Sequence, residues 1–236
     1  MSRLIVILIA IAAMFMAGSC VPSIHGIATE SNLEFRPEMV GSWVSDDGEA
    51  GWVFDSYDEQ QYILSLYTPD GLDGSFRAAL VDLDGELFLD LFPDDTDEKW
   101  PINSFYGLHF IPVHTFLHVE LGEGTLSLRM MDPSWLDAKL QQDPEFVSAV
   151  SENMTVLTAS TGELQALLPQ WLNEAPIVGG GFMGGDASPF TEAVVLTPGE
   201  VMEREDMEPA EFMDMEGLDE MDEVVDTTEE APVTAP

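Results

Sequence analysis

The sequence predicts a mainly β fold with α-helical additions: an antiparallel β-meander, two or three C-terminal packing helices and a disordered acidic tail. Three observations support this prediction. Short strand-like runs fill the region between residues 39 and 131, Gly- and Asp-rich turns separate them at intervals of roughly 10 to 15 residues, and 45% of the chain is hydrophobic. The chain can therefore build a sheet with its own core.

Seven runs rich in β-branched, aromatic and leucine residues form the predicted meander. They lie at 40–44, 51–54, 62–67, 76–81, 86–92, 115–121 and 125–130. Turn sequences such as Asp46-Asp47-Gly48, Asp84-Gly85 and Gly122-Glu123-Gly124 connect them, and such residues favour tight turns. Meanders of this size remove their edges by closing into a barrel or pairing into a sandwich.

Helix signals follow the meander. Asp132-Pro133 is typical of an N-cap followed by proline at the first helical position, and Asp143-Pro144 repeats the signal. A short strand is expected at 155–158, and the capping-box sequence 160–163 predicts a further helix. The apolar side chains of that helix recur at i, i+3, i+4 and i+7 from Leu164, which predicts packing on the sheet. Pro169 should kink this helix or end it early.

The C-terminal part consists of a glycine-rich loop, one more strand and an acidic tail. The loop at 177–190 lacks the lysine and the strand-to-helix context of a phosphate loop. Residues 193–196 could form a last strand that seals a sheet edge. From residue 199 onwards the chain is dense in Asp and Glu, and such a segment repels itself and cannot bury enough apolar surface to fold.

The net charge excludes one class of partner. Lys and Arg number 7 against 45 Asp and Glu, for a formal charge of -38, and the basic residues are scattered singly. Such a chain is repelled by nucleic-acid phosphates and by anionic lipid faces. Exposure to salty surroundings, where screening makes crowded carboxylates tolerable, is the simplest interpretation of the acid excess.

The first twenty residues have the pattern of an export signal. Arg3 precedes an unbroken apolar run at 4–16, which is too short to span a bilayer, and Ala17-Gly18-Ser19 stands before the single cysteine, Cys20. The segment resembles a bacterial lipobox signal, although leucine is commoner where Ala17 stands. The resemblance implies lipid attachment to Cys20, cleavage before it, and anchoring of an exported protein to a bacterial membrane that the sequence does not specify. Simple secretion is the alternative, but it would leave an unpaired exported thiol.

These patterns give a domain plan. It comprises a signal peptide at 1–19, a lipidated N-terminus and tether at 20–37, a globular domain at 38–198 and the tail at 199–236.

A second resemblance covers residues 41–129. Gly41-Ser42-Trp43 is similar to the G-x-W motif of lipocalins and other calycin barrels, in which the Trp plugs the barrel base beneath an Arg from the last strand. Arg129 stands where that partner would lie. The resemblance implies a small calycin-like barrel with Trp43 and Arg129 as a structural pair; the alternative is a generic meander with Trp43 as a core aromatic.

No residue pattern points to a reaction or a cofactor. His114 and His118 would face the same side of a strand about 13 Å apart, too far to share an ion. The acidic fragments at 70–74 and 82–86 do not complete a calcium loop, and no G-x-S-x-G elbow is present. Met213 and Met215 are the weak candidates for soft-metal binding, with a solvated acidic tail as the alternative.

The sequence therefore predicts an envelope lipoprotein with a non-catalytic binding or scaffolding domain. Its membrane contact would be the Cys20 lipid, and the identity of any protein partner is open. The alternatives are a carrier of a small apolar ligand in the barrel interior and a hydrolase whose site cannot be recognised from sequence.

Overall fold

The computed structural model describes residues 20–48, 50–68, 71–94, 111–151, 154–181 and 184–201. The predicted signal peptide, the tail beyond residue 201, Met213 and Met215 lie outside the described residues. The strands are β1 (Leu33–Glu34), β2 (Gly41–Ser45), β3 (Gly51–Ser56), β4 (Tyr62–Thr68), β5 (Gly71–Leu83), β6 (Glu86–Pro93), β7 (Thr115–Gly122), β8 (Thr125–Met130), β9 (Ala149–Ser151), β10 (Thr155–Leu157) and β11 (Val194–Pro198). The α-helices among these residues are α1 (Pro133–Gln142) and α2 (Thr161–Trp171).

Eight of the strands form a closed antiparallel barrel. Their order is β5-β4-β3-β2-β11-β8-β7-β6, and β6 pairs back to β5. All seven predicted runs are barrel strands, and β11, at the predicted last strand, pairs with both β2 and β8 and so closes the wall. The mainly β prediction is confirmed, and the sheet removes its edges by closure.

Alternation along the strands divides the core into two parts. The barrel interior is filled by side chains that point inward at every second position: Met39, Trp43, Phe54, Tyr62, Leu64, Ala78, Leu80, Leu89, Leu91, Leu117, Val119, Leu126, Leu128 and Leu196. The second core lies outside the wall, where α1 and α2 cover Phe88 on β6 and Phe116 on β7. Both helices therefore pack on the outer face of the sheet.

The first helix begins as predicted and the second start signal is wrong. Asp132 caps α1 by accepting a hydrogen bond from the Ser134 amide at 2.8 Å, with Pro133 as the first helical residue. Asp143 does not begin a helix. Its amide donates to the Lys139 carbonyl at the end of α1, and its carboxylate accepts from the Glu145 amide, so Asp143-Pro144 opens a turn.

The second helix forms without the predicted capping box. Ser160 is the N-cap residue of α2 but makes no side-chain capping bond. The Thr161 hydroxyl instead donates to the Gly26 carbonyl, a contact far away in sequence. Pro169 does not stop the helix at once, because α2 continues to Trp171. Leu164, Leu168 and Trp171 are buried, as the apolar spacing predicts.

One end of the barrel is closed by the chain that enters β2. A 3-10 turn, Pro37–Met39, places Met39 in the interior, and the Trp43 indole N–H donates to the Met39 carbonyl at 2.8 Å. Nearby, the Arg36 amide donates to the Tyr62 hydroxyl at 2.7 Å, and burial raises the pKa of that phenol. We call this the Met39 end, and it also carries the β5–β6 and β7–β8 turns.

Candidate membrane-anchoring site

Cys20 lies at the opposite end of the barrel. Its side chain is exposed, and its sulfur lies 3.4 Å from the sulfur of Met130, the last residue of β8. Met130 pairs with Leu117 near the start of β7, so the cysteine stands where β8 ends and β7 begins. We call this the Cys20 end. Although the side chain is exposed, the surrounding protein partly desolvates the thiol and raises its pKa.

The chain is held in place immediately after the cysteine. Val21 is only 3% exposed and belongs to the outer core. Two residues further on, Ser23 and His114 exchange backbone hydrogen bonds of 2.8 Å, and Ser23 also forms a parallel bridge with Leu157 of β10. We call residues 21–28 the strap. Its first half is a backbone-paired ribbon between the start of β7 and β10.

One buried carboxylate fixes the second half of the strap. Asp90 points outward from β6 and is 4% exposed, and one of its oxygens accepts from the amides of Ile27 at 2.7 Å and Ala28 at 3.1 Å. The other oxygen lies 2.7 Å from Nδ1 of His114. The two amides and the His114 ring together satisfy the hydrogen-bonding capacity of the Asp90 carboxylate, whose burial without partners would be costly.

The strap fits Asp90 only because residue 26 is glycine. A Cβ atom there would lie 2.6 Å from the His114 ring and 2.7 Å from a carboxylate oxygen of Asp90, both closer than a Cβ atom approaches another heavy atom. The backbone therefore reaches the carboxylate through a position with no side chain.

Helix α2 holds the strap from the other side. The Thr161 hydroxyl donates to the Gly26 carbonyl at 2.8 Å, and the Gln165 amide donates to the Ile27 carbonyl at 2.9 Å. Asn32 donates to the same Ile27 carbonyl at 3.0 Å. The strap thus lies between the barrel wall and α2, with polar partners on both sides.

The predicted tether at 20–37 is therefore part of the folded domain. Ile27 is fully buried, β1 pairs with the second half of β5, and the Pro37–Met39 turn closes the barrel. Apolar residues at 21, 24 and 27 and a glycine at 26 were the available signals for this packing. They were missed because the partners, Asp90, His114 and Thr161, are distant in sequence.

His118 of β7 and His114, the residue just before β7, lie on the same outer side of the wall, and each lies beside a carboxylate. His118 is buried beside Phe88, and its Nε2 lies 3.0 Å from the Glu86 carboxylate. The His114 ring packs against the Phe92 ring at 4.6 Å with a tilt of 41°, and it pairs with Asp90. Within the described ranges, no group of three or more His, Cys, Asp or Glu side chains could hold a metal ion.

The Trp43–Arg129 pairing does not form. Trp43 points into the barrel, whereas Leu128 of β8 points inward and its neighbour Arg129 points outward, where it pairs with Glu120. The pairing also assumed that β8 is the last strand. The barrel closes instead with β11, which contains no arginine.

The barrel interior leaves no room for a ligand around its central side chains. Phe54, Leu64, Leu80, Leu89 and Leu126 have no surface that a water molecule could reach. A ligand-sized cavity beside them would leave part of that surface accessible. The packed interior therefore gives no support to the carrier alternative.

An open groove of about 520 Å³ lies outside β8, beside Arg129. Its wall includes Thr191, whose hydroxyl accepts from the Met130 amide. Four carboxylates and one guanidinium line it, from Asp132, Glu174, Asp186, Glu192 and Arg129. This excess of negative charge disfavours anionic ligands.

Comparison with known proteins gives no relative: no family model, no curated protein and no solved structure matches the chain. Among the described residues, no helix is long and apolar enough to cross a membrane.

Proposed function

We propose that the protein is a bacterial envelope lipoprotein, held to a membrane by lipid on Cys20, with a non-catalytic binding or scaffolding domain. The observation that carries the proposal is the position of Cys20. The only cysteine of the chain follows an apolar segment and a small-residue triplet, and its exposed side chain stands directly before the buried strap. A modified sulfur can project there without disturbing the fold.

The chemistry of the thiol supports modification over other roles. Cys20 has no partner for a disulfide within the chain, since the sequence contains one cysteine. Two or three acyl chains, at about 0.8 kcal/mol per buried methylene, would hold the domain on a membrane essentially permanently.

The test is metabolic labelling with a fatty acid in a bacterial host. The wild type should incorporate label and fractionate with membranes, and Cys20→Ser should do neither. Met130→Leu is the matched control, because it changes the neighbour of the sulfur and keeps the thiol; it should label like the wild type. A wild type that never incorporates label would contradict the proposal.

A further inference from the structure

We infer that the Cys20 end of the barrel lies directly against the lipid surface, with the barrel axis pointing away from the membrane. This inference rests on the proposed lipid anchor and adds the surface that faces the bilayer. It follows from the length of free chain between the anchored sulfur and the folded domain.

That length is close to zero. Val21 is already buried, and the backbone of Pro22 accepts a hydrogen bond from the Leu157 amide at 2.9 Å. One residue spans at most about 3.6 Å. A lipid attached to Cys20 therefore cannot be separated from the barrel by a flexible linker, and the surface around Cys20 must meet the headgroups.

The topology defines which surface this is. Strands β5, β7 and β11 begin at the Cys20 end, because neighbouring strands alternate in direction. Exposed apolar side chains occur there: Ile111, just before β7, is 70% exposed, Leu72 of β5 is 47% exposed, and Val194 of β11 is 38% exposed. Apolar side chains at the rim of a membrane-facing end can enter the headgroup region.

The charges specify the kind of lipid surface. Asp46, Asp47 and Asp73 are exposed at the same end, at the β2–β3 turn and the start of β5. Anionic headgroups would repel these carboxylates. The surface that fits this end is therefore zwitterionic.

The test uses the fact that lipidation consumes the only native thiol. Ile111→Cys places a unique free thiol at the Cys20 end, and Glu123→Cys places one in the β7–β8 turn at the Met39 end. The two positions differ in height by roughly 20 Å, given eight residues of tilted strand. Each lipidated variant is labelled with a fluorophore and placed in phosphatidylcholine vesicles that carry a spin-labelled headgroup quencher.

Quenching should be several-fold stronger at position 111 than at position 123. If Ile111→Cys does not fold, Leu72→Cys gives a second measurement of quenching at the Cys20 end. Equal quenching at the two ends, on protein whose mass confirms the lipid, overturns this inference and leaves the anchor intact. Absence of lipid on the purified protein overturns both.

Discussion

At the scale of single residues, Asp90 connects the N-terminal strap to the barrel. Its carboxylate is buried on the outer face of β6. It accepts hydrogen bonds from the two strap amides of Ile27 and Ala28 and pairs with the His114 ring. Loss of this side chain would leave the buried Ile27 amide without its acceptor, and unsatisfied buried donors are costly. The carboxylate therefore holds the second half of the strap to the barrel wall, whereas backbone pairing with His114 and Leu157 holds the first half.

Asp90→Ala should lower the free energy of unfolding by about 1–3 kcal/mol, the range for leaving a buried hydrogen-bond donor such as the Ile27 amide without its acceptor. Urea unfolding of the domain from Val21 onwards measures this. Asp55→Ala is the control, because Asp55 is an exposed carboxylate on β3, and it should change the free energy by no more than about 0.5 kcal/mol. Similar small effects of both substitutions would show that Asp90 does not hold the strap.

Trp43 and Arg129 should behave as independent residues. Trp43→Ala removes a large interior side chain and should cost about 3–5 kcal/mol. Arg129→Ala breaks a half-exposed ion pair with Glu120 and should cost no more than about 1 kcal/mol. In a double-mutant cycle the two effects should add to within about 0.5 kcal/mol. A coupling above 1 kcal/mol, well outside the additive range, would restore the calycin-type pairing.

At the scale of elements, α1 and α2 meet through aromatic rings around one cation. Trp135 of α1 and Trp171 of α2 are edge-to-face at 5.7 Å, and Phe146 contacts both. The Lys139 ammonium lies 5.4 Å from the Trp135 ring and 2.7 Å from the Glu174 carboxylate. The lysine therefore covers the helix–helix contact and keeps its charge paired.

Lys139→Met keeps most of the stem, removes the charge and should cost about 1–2 kcal/mol, because cation–π contact and ion pair are lost together. Glu174→Gln removes the ion pair alone and should cost less than about 1 kcal/mol. Chemical unfolding of the two variants separates the contributions. Equal costs would mean that the rings contribute nothing to holding the ammonium.

Local sequence patterns were sufficient to predict the strands, but they were insufficient to predict the segments that connect and cover them. The meander was predictable because alternation and Asp-Gly turns are local signals, and Asp84 and Gly85 do adopt the positive φ angles that such a turn requires. The helix expected at Asp143 failed because Asp-Pro also opens turns. The strap depends on partners distant in sequence, and Arg129 cannot reach Trp43 because it occupies the outer face of β8, next to the inward-pointing Leu128.

At the scale of the molecule, β11, which follows both helices in the chain, completes the barrel between β2 and β8. Leu196 is fully buried between β2 and β8, and the Gly199 amide donates to the Ser42 carbonyl. Val201 approaches Gly51 so closely that a Cβ there would lie 2.6 Å from it. The folded domain therefore extends to residue 201, and the disorder expected of the acidic tail stays a prediction.

Truncation after Val201 should leave the melting temperature within a few degrees, because dense like charge prevents the tail from packing. Truncation after Glu192 removes β11, opens the barrel between β2 and β8, and should abolish cooperative unfolding. Calorimetry of the two truncated chains distinguishes these outcomes. A large drop in melting temperature for the first would show that the tail contributes to the fold.

The most direct test of the anchoring proposal is the mass of the N-terminal peptide of the mature protein, isolated from the membrane of an expressing bacterium. The proposal predicts a peptide that begins at Cys20, carries a diacylglyceryl group on its sulfur and lacks residues 1–19. A mature peptide with an unmodified Cys20 thiol, or one that begins at another residue, would contradict it.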